Sequence, residues 1–417
     1  MRVLWITYAP IGKAAEILES HSTQSGAWID VTASRLIKNK EVELCISCIS
    51  SFSKKVVDNE SGIIYYGVNE IQKRAGSYKQ SDISVWENII SDFAPEIIMV
   101  WGTEFSNGLS VVKASKNIPV LFFIQGVVGE VFHYSLGYLS FKDLFANLGP
   151  VSLLKFIHFL RNKKKVKRQI LIEKKMVCES SGIITDNDWS SFYYQSLCSD
   201  ISVYDYPLPV SQEFLNRKHN IDKCQKNTIF TIDGCNPAKG VFHLINALYL
   251  VKKAIPDVKL KIPGRIPTGS PRFLRESPYY TYLNKLIKKL ELSDNVEFLG
   301  MLSRAQMQEQ LMSCNVFVMP SAIENHSSSL REAMYLGVPC VTALVGSVDE
   351  FTEYGSNALT YRYEDEIKLS ECIIKVLLDN TLASKLGSGA YSSIRKKYPQ
   401  DELNNKLYKI YNEVLHE

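Results

Sequence analysis

Short runs of consecutive apolar residues alternate along this chain with longer stretches whose apolar positions recur every three or four residues. The runs read as strands buried on both faces, the recurring pattern as amphipathic helices. The first half gives strands at Val3–Thr7, Val42–Ser47, Ile97–Trp101 and Val120–Ile124, and a shorter one at Gly182–Thr185. Helices lie between them, for example Trp28–Lys38 and Ile83–Phe93. Pro95 marks the end of the latter, because the residue before a proline is pushed out of the helical region. The second half repeats the plan. Its strands are Thr228–Ile232, Lys259–Ile262, Val296–Leu299, Val316–Met319 and Pro339–Ala343, and its helices Phe242–Lys253, Tyr279–Leu290 and Ser303–Ser313. Ser303 with Gln306 three residues later forms a capping box. Such alternation predicts an α/β fold of two parallel, doubly wound sheets with crossover helices. Tyr206-Pro207-Leu208-Pro209 reads as the extended linker between the halves. The expected domains are 1–206, 207–390 and a helical tail, 391–417, that packs back on the first domain. Pro399 interrupts the helical pattern of that tail.

Composition narrows the classes. The 417 residues are 46% hydrophobic and 22% charged, ordinary values for a globular chain. With 48 basic and 44 acidic residues the net charge is only +4, so nucleic-acid binding is not predicted and any basic effect must be local. The apolar run after Met1-Arg2 is too short for a secretory leader. The longest apolar candidate, Val120 to Phe132, is broken by Gln125, Gly126, Gly129 and Glu130, so no transmembrane helix is predicted. A cytoplasmic location is expected. Nine cysteines are scattered. Cys45 and Cys48 form a lone CxxC, which lacks the second pair of a zinc site and reads as buried thiols in a strand.

The most informative segment runs from Pro320 to Pro339: Pro-Ser-Ala-Ile-Glu324-Asn-His-Ser-Ser-Ser-Leu-Arg-Glu332-Ala-Met-Tyr-Leu-Gly337-Val-Pro. It follows a buried strand and opens a helix near Ser327 or Ser328, both good N-cap residues. Glu324 then lies in the loop and Glu332 about one turn into the helix. Free N–H groups at such a helix start make an anion site suited to a diphosphate. Glu324 and Glu332, seven residues apart and followed by Ala-Met and Gly-x-Pro, resemble the E-x7-E signature of glycosyltransferase family 4, retaining enzymes of the GT-B architecture. Lys239-Gly240 with its following helix, Val296-Glu-Phe-Leu-Gly300 and Gly346-Ser-Val-Asp-Glu350 resemble further segments of that family. Ile323-Glu-Asn is similar to members that build bacterial surface polysaccharides. The resemblance covers nearly all of the second half closely and the first half loosely.

It implies two Rossmann-like domains facing across a cleft, the first for the acceptor and the second for a nucleoside diphosphate sugar. Glu324 would contact the donor sugar, Glu332 the nucleotide ribose, and Lys239 would neutralise the diphosphate leaving group. Carboxylates accept paired hydrogen bonds from vicinal hydroxyls, and a cation meets the charge that grows on the leaving group. The donor set further includes Leu299 near the nucleobase and Asn325, His326, Ser327 and Ser328 in the signature loop. The family's usual Arg, five residues before the Lys, is here Gly234, and Arg265 is the candidate replacement. In the first half, Ser25-Gly26-Ala27 matches the family's glycine-rich turn under the donor phosphate, though Gly26 also reads as a plain helix-start glycine. Gln125 stands where the family often has a His. His133 follows in the same loop and reads either as a residue touching the donor sugar or as a structural histidine. No cofactor and no metal is expected beyond the donor substrate. Asp186-Asn187-Asp188 looks like a metal-binding D-x-D motif but reads as a strand-to-helix turn.

Between Lys155 and Lys175 the charged residues are basic except Glu173, and an apolar stretch, Val151 to Leu160, precedes them. Apolar and basic residues together suit peripheral contact of 151–175 with the anionic inner leaflet, and an ordinary solvated helix face is the competing reading. The activity expected is retaining transfer of a sugar to a glycan, with a lipid-linked acceptor, in bacterial surface polysaccharide synthesis. Three alternatives remain: a glycoside hydrolase using Glu324 and Glu332, a sugar-nucleotide epimerase, and a non-catalytic scaffold.

Overall fold

The computed structural model describes residues 1–18, 26, 28–140, 142–143, 151–234, 236–264 and 278–417, without the side chains of 151–160 and 278. Two compact units emerge.

The first unit is built on β1 (Arg2–Thr7), α1 (Lys13–Ile17), α2 (Trp28–Leu36), β2 (Glu43–Ile49), β3 (Lys54–Val57), β4 (Ile64–Val68), α3 (Gln80–Phe93), β5 (Ile97–Trp101), α4 (Asn107–Ser115) and β6 (Val120–Phe123). After it come α5 (Val128–His133), α6 (Val151–Cys178), β7 (Gly182–Thr185), α7 (Asp188–Leu197) and β8 (Val203–Asp205). The eight strands run in the order β3-β4-β2-β1-β5-β6-β7-β8, and β3 alone is antiparallel to its neighbour. Every residue of β5 and β6 is buried, as strands covered on both faces require. The strands that periodicity misses are β3, β4, β8 and, in the second unit, β14. β3 is a largely exposed edge, β8 and β14 have three residues each, and β4 alternates between buried and half-buried positions. None carries the long apolar run of a central strand.

The second unit holds β9 (Thr228–Thr231), α8 (Val241–Ala254), β10 (Lys259–Pro263), α9 (Pro278–Lys289), β11 (Val296–Gly300), α10 (Arg304–Ser313), β12 (Val316–Met319), α11 (Ser328–Leu336), β13 (Cys340–Ala343), β14 (Leu359–Tyr361), α12 (Glu366–Leu378) and α13 (Asn380–Lys397). Its six strands are all parallel, in the order β11-β10-β9-β12-β13-β14. Ser303 and Gln306 form the capping box of α10. Gly337, left-handed at φ 78°, ends α11, with the amide of Val338 bonded back to Ala333 O at 3.0 Å.

The units divide as 1–129, 162–210 and 399–417 against 130–161 and 211–398. The junction therefore follows Val210 rather than Tyr206. Leu208 is buried in the first core, and the Val210 amide donates to the side-chain oxygen of Gln400 at 2.9 Å. Residues 130–161, which a division by halves gives to the first domain, group with the second. The last helix, α14 (Leu403–His416), buries Leu403, Leu407, Ile410, Tyr411 and Val414 in the first core, while 391–398 at the end of α13 stay with the second unit. The Trp5 indole donates to the Tyr411 hydroxyl at 2.9 Å, and that hydroxyl donates to Met99 Sδ at 3.1 Å.

Replacing Tyr411 by Phe strands the fully buried Trp5 N–H. The first unit should lose about 1–3 kcal/mol, the cost of an unsatisfied buried donor. The urea midpoint of the wild type against Tyr411→Phe measures it, and an unchanged midpoint would show that α14 is not held by this bond.

Candidate functional site

In the second sheet β9 and β12 are neighbours although the chain order reverses between them. The crevice outside the strand ends at such a switch point is where doubly wound sheets bind ligands. The turn Pro237–Lys239 follows β9, and the loop from Pro320 to Ser327 follows β12. They are locked together. Gly240 has φ 65°, and a Cβ there would lie 1.8 Å from Pro320 O, so only glycine fits. The Ala322 amide donates to Ala238 O at 2.8 Å. Lys239 Nζ donates to Glu324 Oε1 at 2.6 Å, a charge-assisted bond. The Glu324 side chain is 11% exposed and that of Lys239 33%. From the far side, Ser347 holds the loop, its amide on Glu324 O and its hydroxyl on Asn325 O.

Ser327 is the N-cap of α11 and Ser328 its first residue. Ser327 does not cap as the sequence suggests. Its backbone is left-handed, at φ 45° and ψ 45°, and its hydroxyl makes no cap bond. Among the described residues the buried Oγ atoms of Ser327 and Ser321 have no hydrogen-bond partner. The N-cap side chain of α11 thus does not take up the amides of its first turn, and such helix-start amides suit an anion. Asn325 Nδ2 and His326 Nε2 lie 3.2 Å apart, both residues buried.

Glu332, the fifth residue of α11, is partly buried and makes no hydrogen bond among the described residues. Burial pushes its carboxyl up to about 7, with Arg304 and Arg331 working against the rise and Glu213 adding to it. A half-buried acceptor without a donor is suited to a ligand that brings hydroxyls. Leu299 lies half-buried on β11. At Gly234 a Cβ would sit 2.6 Å from Ile262 Cγ2, which explains why this position carries no side chain. Arg265 lies outside the described residues.

The remaining predicted residues belong elsewhere. Gly26, in the first unit, has φ 93°, a backbone that favours glycine, and the Ile11 side chain fills the space where a Cβ would lie, with Cδ1 2.7 Å away. Its neighbours Ser25 and Ala27 lie outside the described residues. Gln125 is half-buried just past β6. His133, at the end of α5, is exposed, packs edge-on to Tyr134 at 4.8 Å and falls in the segment grouped with the second unit. Asn187 caps α7 by accepting from the Ser190 amide at 2.8 Å, so the Asp186–Asp188 motif is a helix-start turn. Among the described residues no cluster of three or more His, Cys, Asp or Glu is set to hold a metal. Cys45 and Cys48 are both buried on β2.

Two residues escaped the sequence reading. Glu173, the lone acid of the basic stretch, points inward: its Oε1 accepts from Thr103 Oγ1 at 2.5 Å and Tyr194 Oη at 2.7 Å. Burial pushes it up to about 7, against the pull of these bonds. Gln169, one turn earlier, is also buried, and this i, i+4 pair was the available signal. Tyr363, just past β14, donates to Gly137 O at 2.9 Å. Nothing local announces a partner 226 positions away.

Both Glu332 and Glu173 hold protons in the fold at pH values where the unfolded chain has released them. The stability they contribute is complete below about pH 4.5 and is lost as pH rises through about 7. Urea midpoints taken between about pH 5 and pH 8 should therefore fall with rising pH, and Glu332→Gln and Glu173→Gln should each flatten the fall. Parallel slopes in wild type and both variants would contradict the assignment.

Residues 211–393 match the family described as Glycosyl transferases group 1. The chain is 24% identical over 201 residues to N-acetyl-alpha-D-glucosaminyl L-malate synthase of Bacillus anthracis, covering 48% of this chain and 49% of that protein. It is 28% identical over 181 residues to a GDP-mannose-dependent monoacylated alpha-(1-6)-phosphatidylinositol monomannoside mannosyltransferase of Corynebacterium glutamicum, covering 42% and 44%. The matched stretch spans about half the length of these relatives. Sucrose-phosphate synthase of Thermosynechococcus elongatus has a similar structure, with TM-score 0.74 at 12% identity over 100% of this chain and 99% of that one. That likeness identifies the fold as GT-B, two Rossmann-like α/β units. Over residues 211–393 the chain carries a domain of the glycosyl transferases group 1 family.

Proposed function

We propose that this protein is a retaining glycosyltransferase that moves a sugar from a nucleoside diphosphate to a lipid-linked glycan in bacterial surface polysaccharide synthesis. One observation carries the reading: the Lys239–Glu324 pair at the switch point, beside a helix start whose N-cap Ser327 makes no side-chain cap bond and, one turn on, Glu332 with no side-chain hydrogen bond among the described residues. Leaving-group departure loads negative charge on a diphosphate. A lysine and free helix amides are the groups that stabilise such charge, and they act more strongly where water is excluded. Glu324 then accepts from hydroxyls of the sugar and Glu332 from the ribose. His133, in the segment grouped with the second unit, belongs to the donor site in this reading, and Arg265 supplies a second cation.

The phosphatidylinositol-linked acceptor in the name of the C. glutamicum relative supports a lipid-linked acceptor here. So does the surface of α6, where Lys163, Lys164, Lys165, Lys167, Arg168, Lys174 and Lys175 are exposed and Leu171 is 72% exposed. No helix among the described residues is long and apolar enough to cross a membrane. Contact with an anionic leaflet through this face is part of the proposal.

Thermal melts with UDP, GDP and ADP and their sugar conjugates test the donor site. One base should raise the melting temperature, and Glu332→Ala should abolish the rise. Lys239→Met should lower kcat/KM about 100-fold, the usual loss on removing one charge-stabilising group. No stabilisation by any of the nucleotides would defeat the reading and favour a hydrolase or a scaffold. Conversion of the donor sugar without acceptor would favour an epimerase.

A further inference from the structure

The loop that carries Lys239 is gripped from a direction the signature motifs do not reveal. Residues 134–139, between α5 and α6, form a compact strap that groups with the second unit. Its own bonds fold it: the Gly137 amide donates to Tyr134 O at 2.8 Å and the Leu139 amide to Leu136 O at 2.9 Å. Leu139 is buried in the second unit's core. Gly137 has φ 57°, and a Cβ there would lie 2.4 Å from Pro237 O and 3.0 Å from Tyr363 Oη. The strap therefore presses its backbone on the carbonyl that opens the Pro237–Lys239 turn. The same carbonyl accepts the Gly240 amide at 2.9 Å.

Tyr363 joins the two. Its hydroxyl donates to Gly137 O at 2.9 Å, and its ring carbon Cε2 would lie 3.2 Å from a Cβ on Gly240. Tyr138 packs against its ring at 5.8 Å, tilted, and His243 at 5.0 Å, edge-on. His243 is itself fixed by Glu366, with 2.7 Å between Nδ1 and Oε1. A buried tyrosine with a satisfied hydroxyl and two aromatic neighbours has little freedom to move.

We propose that Tyr363 and Gly137 are positioning residues that seat the Lys239 turn for the terminal phosphate of the nucleotide. The inference rests on the donor-site reading given above. Lysine is a point charge on a flexible stem, so its hold on a phosphate depends on where its backbone is placed. The seat fixes that backbone while Glu324 holds the ammonium. Loss of the Tyr363 hydroxyl should loosen the turn without touching groups that meet base or ribose.

The variant is Tyr363→Phe, which keeps the ring, with Gly137→Ala as the second, since the left-handed φ and the Pro237 carbonyl both oppose a side chain. Two measurements apply. Dissociation constants are taken for UDP against UMP, GDP against GMP and ADP against AMP. Hydrogen exchange is followed at the amides of 134–139 and 237–240. For the base that binds, both variants should weaken the diphosphate about tenfold, one hydrogen bond's worth, and leave the monophosphate within about twofold. Exchange should speed up in both segments together and stay unchanged in the rest of the second unit. Equal weakening of mono- and diphosphate, or no weakening, would overturn the proposal. So would loosening of 134–139 with an unaltered 237–240. If the wild type binds no nucleotide, the donor-site reading fails, and the exchange data alone decide whether the strap seats the turn.

Discussion

The contact between Gly240 and the carbonyl of Pro320 fixes how closely two loops leave the edge of the second sheet. Everything chemical in that unit follows from this approach. With the Ala322–Ala238 bond beside it, the turn after β9 and the loop after β12 form one rigid ledge. Only then does Lys239 reach Glu324 at 2.6 Å. A half-buried ion pair of this kind contributes little to stability, because desolvation offsets much of its attraction. Its consequence is positional: two opposite charges are held at one place.

The same ledge leaves several polar groups unsatisfied. Ser327 takes a left-handed backbone and withholds its hydroxyl from the helix start. Among the described residues the buried oxygens of Ser321 and Ser327 have no hydrogen-bond partner, and Glu332 has a raised carboxyl with no side-chain hydrogen bond. Strained backbone and orphaned polar atoms cost stability, and native folds retain them mainly where a ligand makes use of them. Their gathering around α11 is the physical argument for a polar, anionic ligand there. It is independent of any likeness to other proteins. In the first unit the buried acid Glu173 is bonded to Thr103 and Tyr194 through one oxygen, tying α6 to the end of β5 and to α7, while its other oxygen has no hydrogen-bond partner among the described residues.

Much of this was legible in the amino-acid order. Central strands such as Ile97–Trp101 and Val316–Met319 are fully apolar because both of their faces are covered, and that leaves a run no helix needs. The capping box at Ser303 is local chemistry, so sequence alone placed it. Glu324 and Glu332 stood out because their seven-residue spacing falls on one strand–loop–helix unit, whereas Lys239, 85 positions before Glu324, stood out only through the family resemblance. Edge strands β3, β8 and β14 did not, since a short or exposed strand needs no apolar run.

Tertiary structure decided what depends on distant partners. The junction fell after Val210 because Gln400, 190 positions on, accepts its amide. The strap at 134–139 joined the second unit because Leu139 found a core there and Tyr363 found its carbonyl. Whether Ser327 caps its helix was also beyond the sequence, since the left-handed turn there is set by the loops packed around it. Local order fixes periodicity, caps and turn residues, because these act within a few positions. Burial, orphaned atoms and the meeting of far-separated residues exist only once the chain has closed on itself.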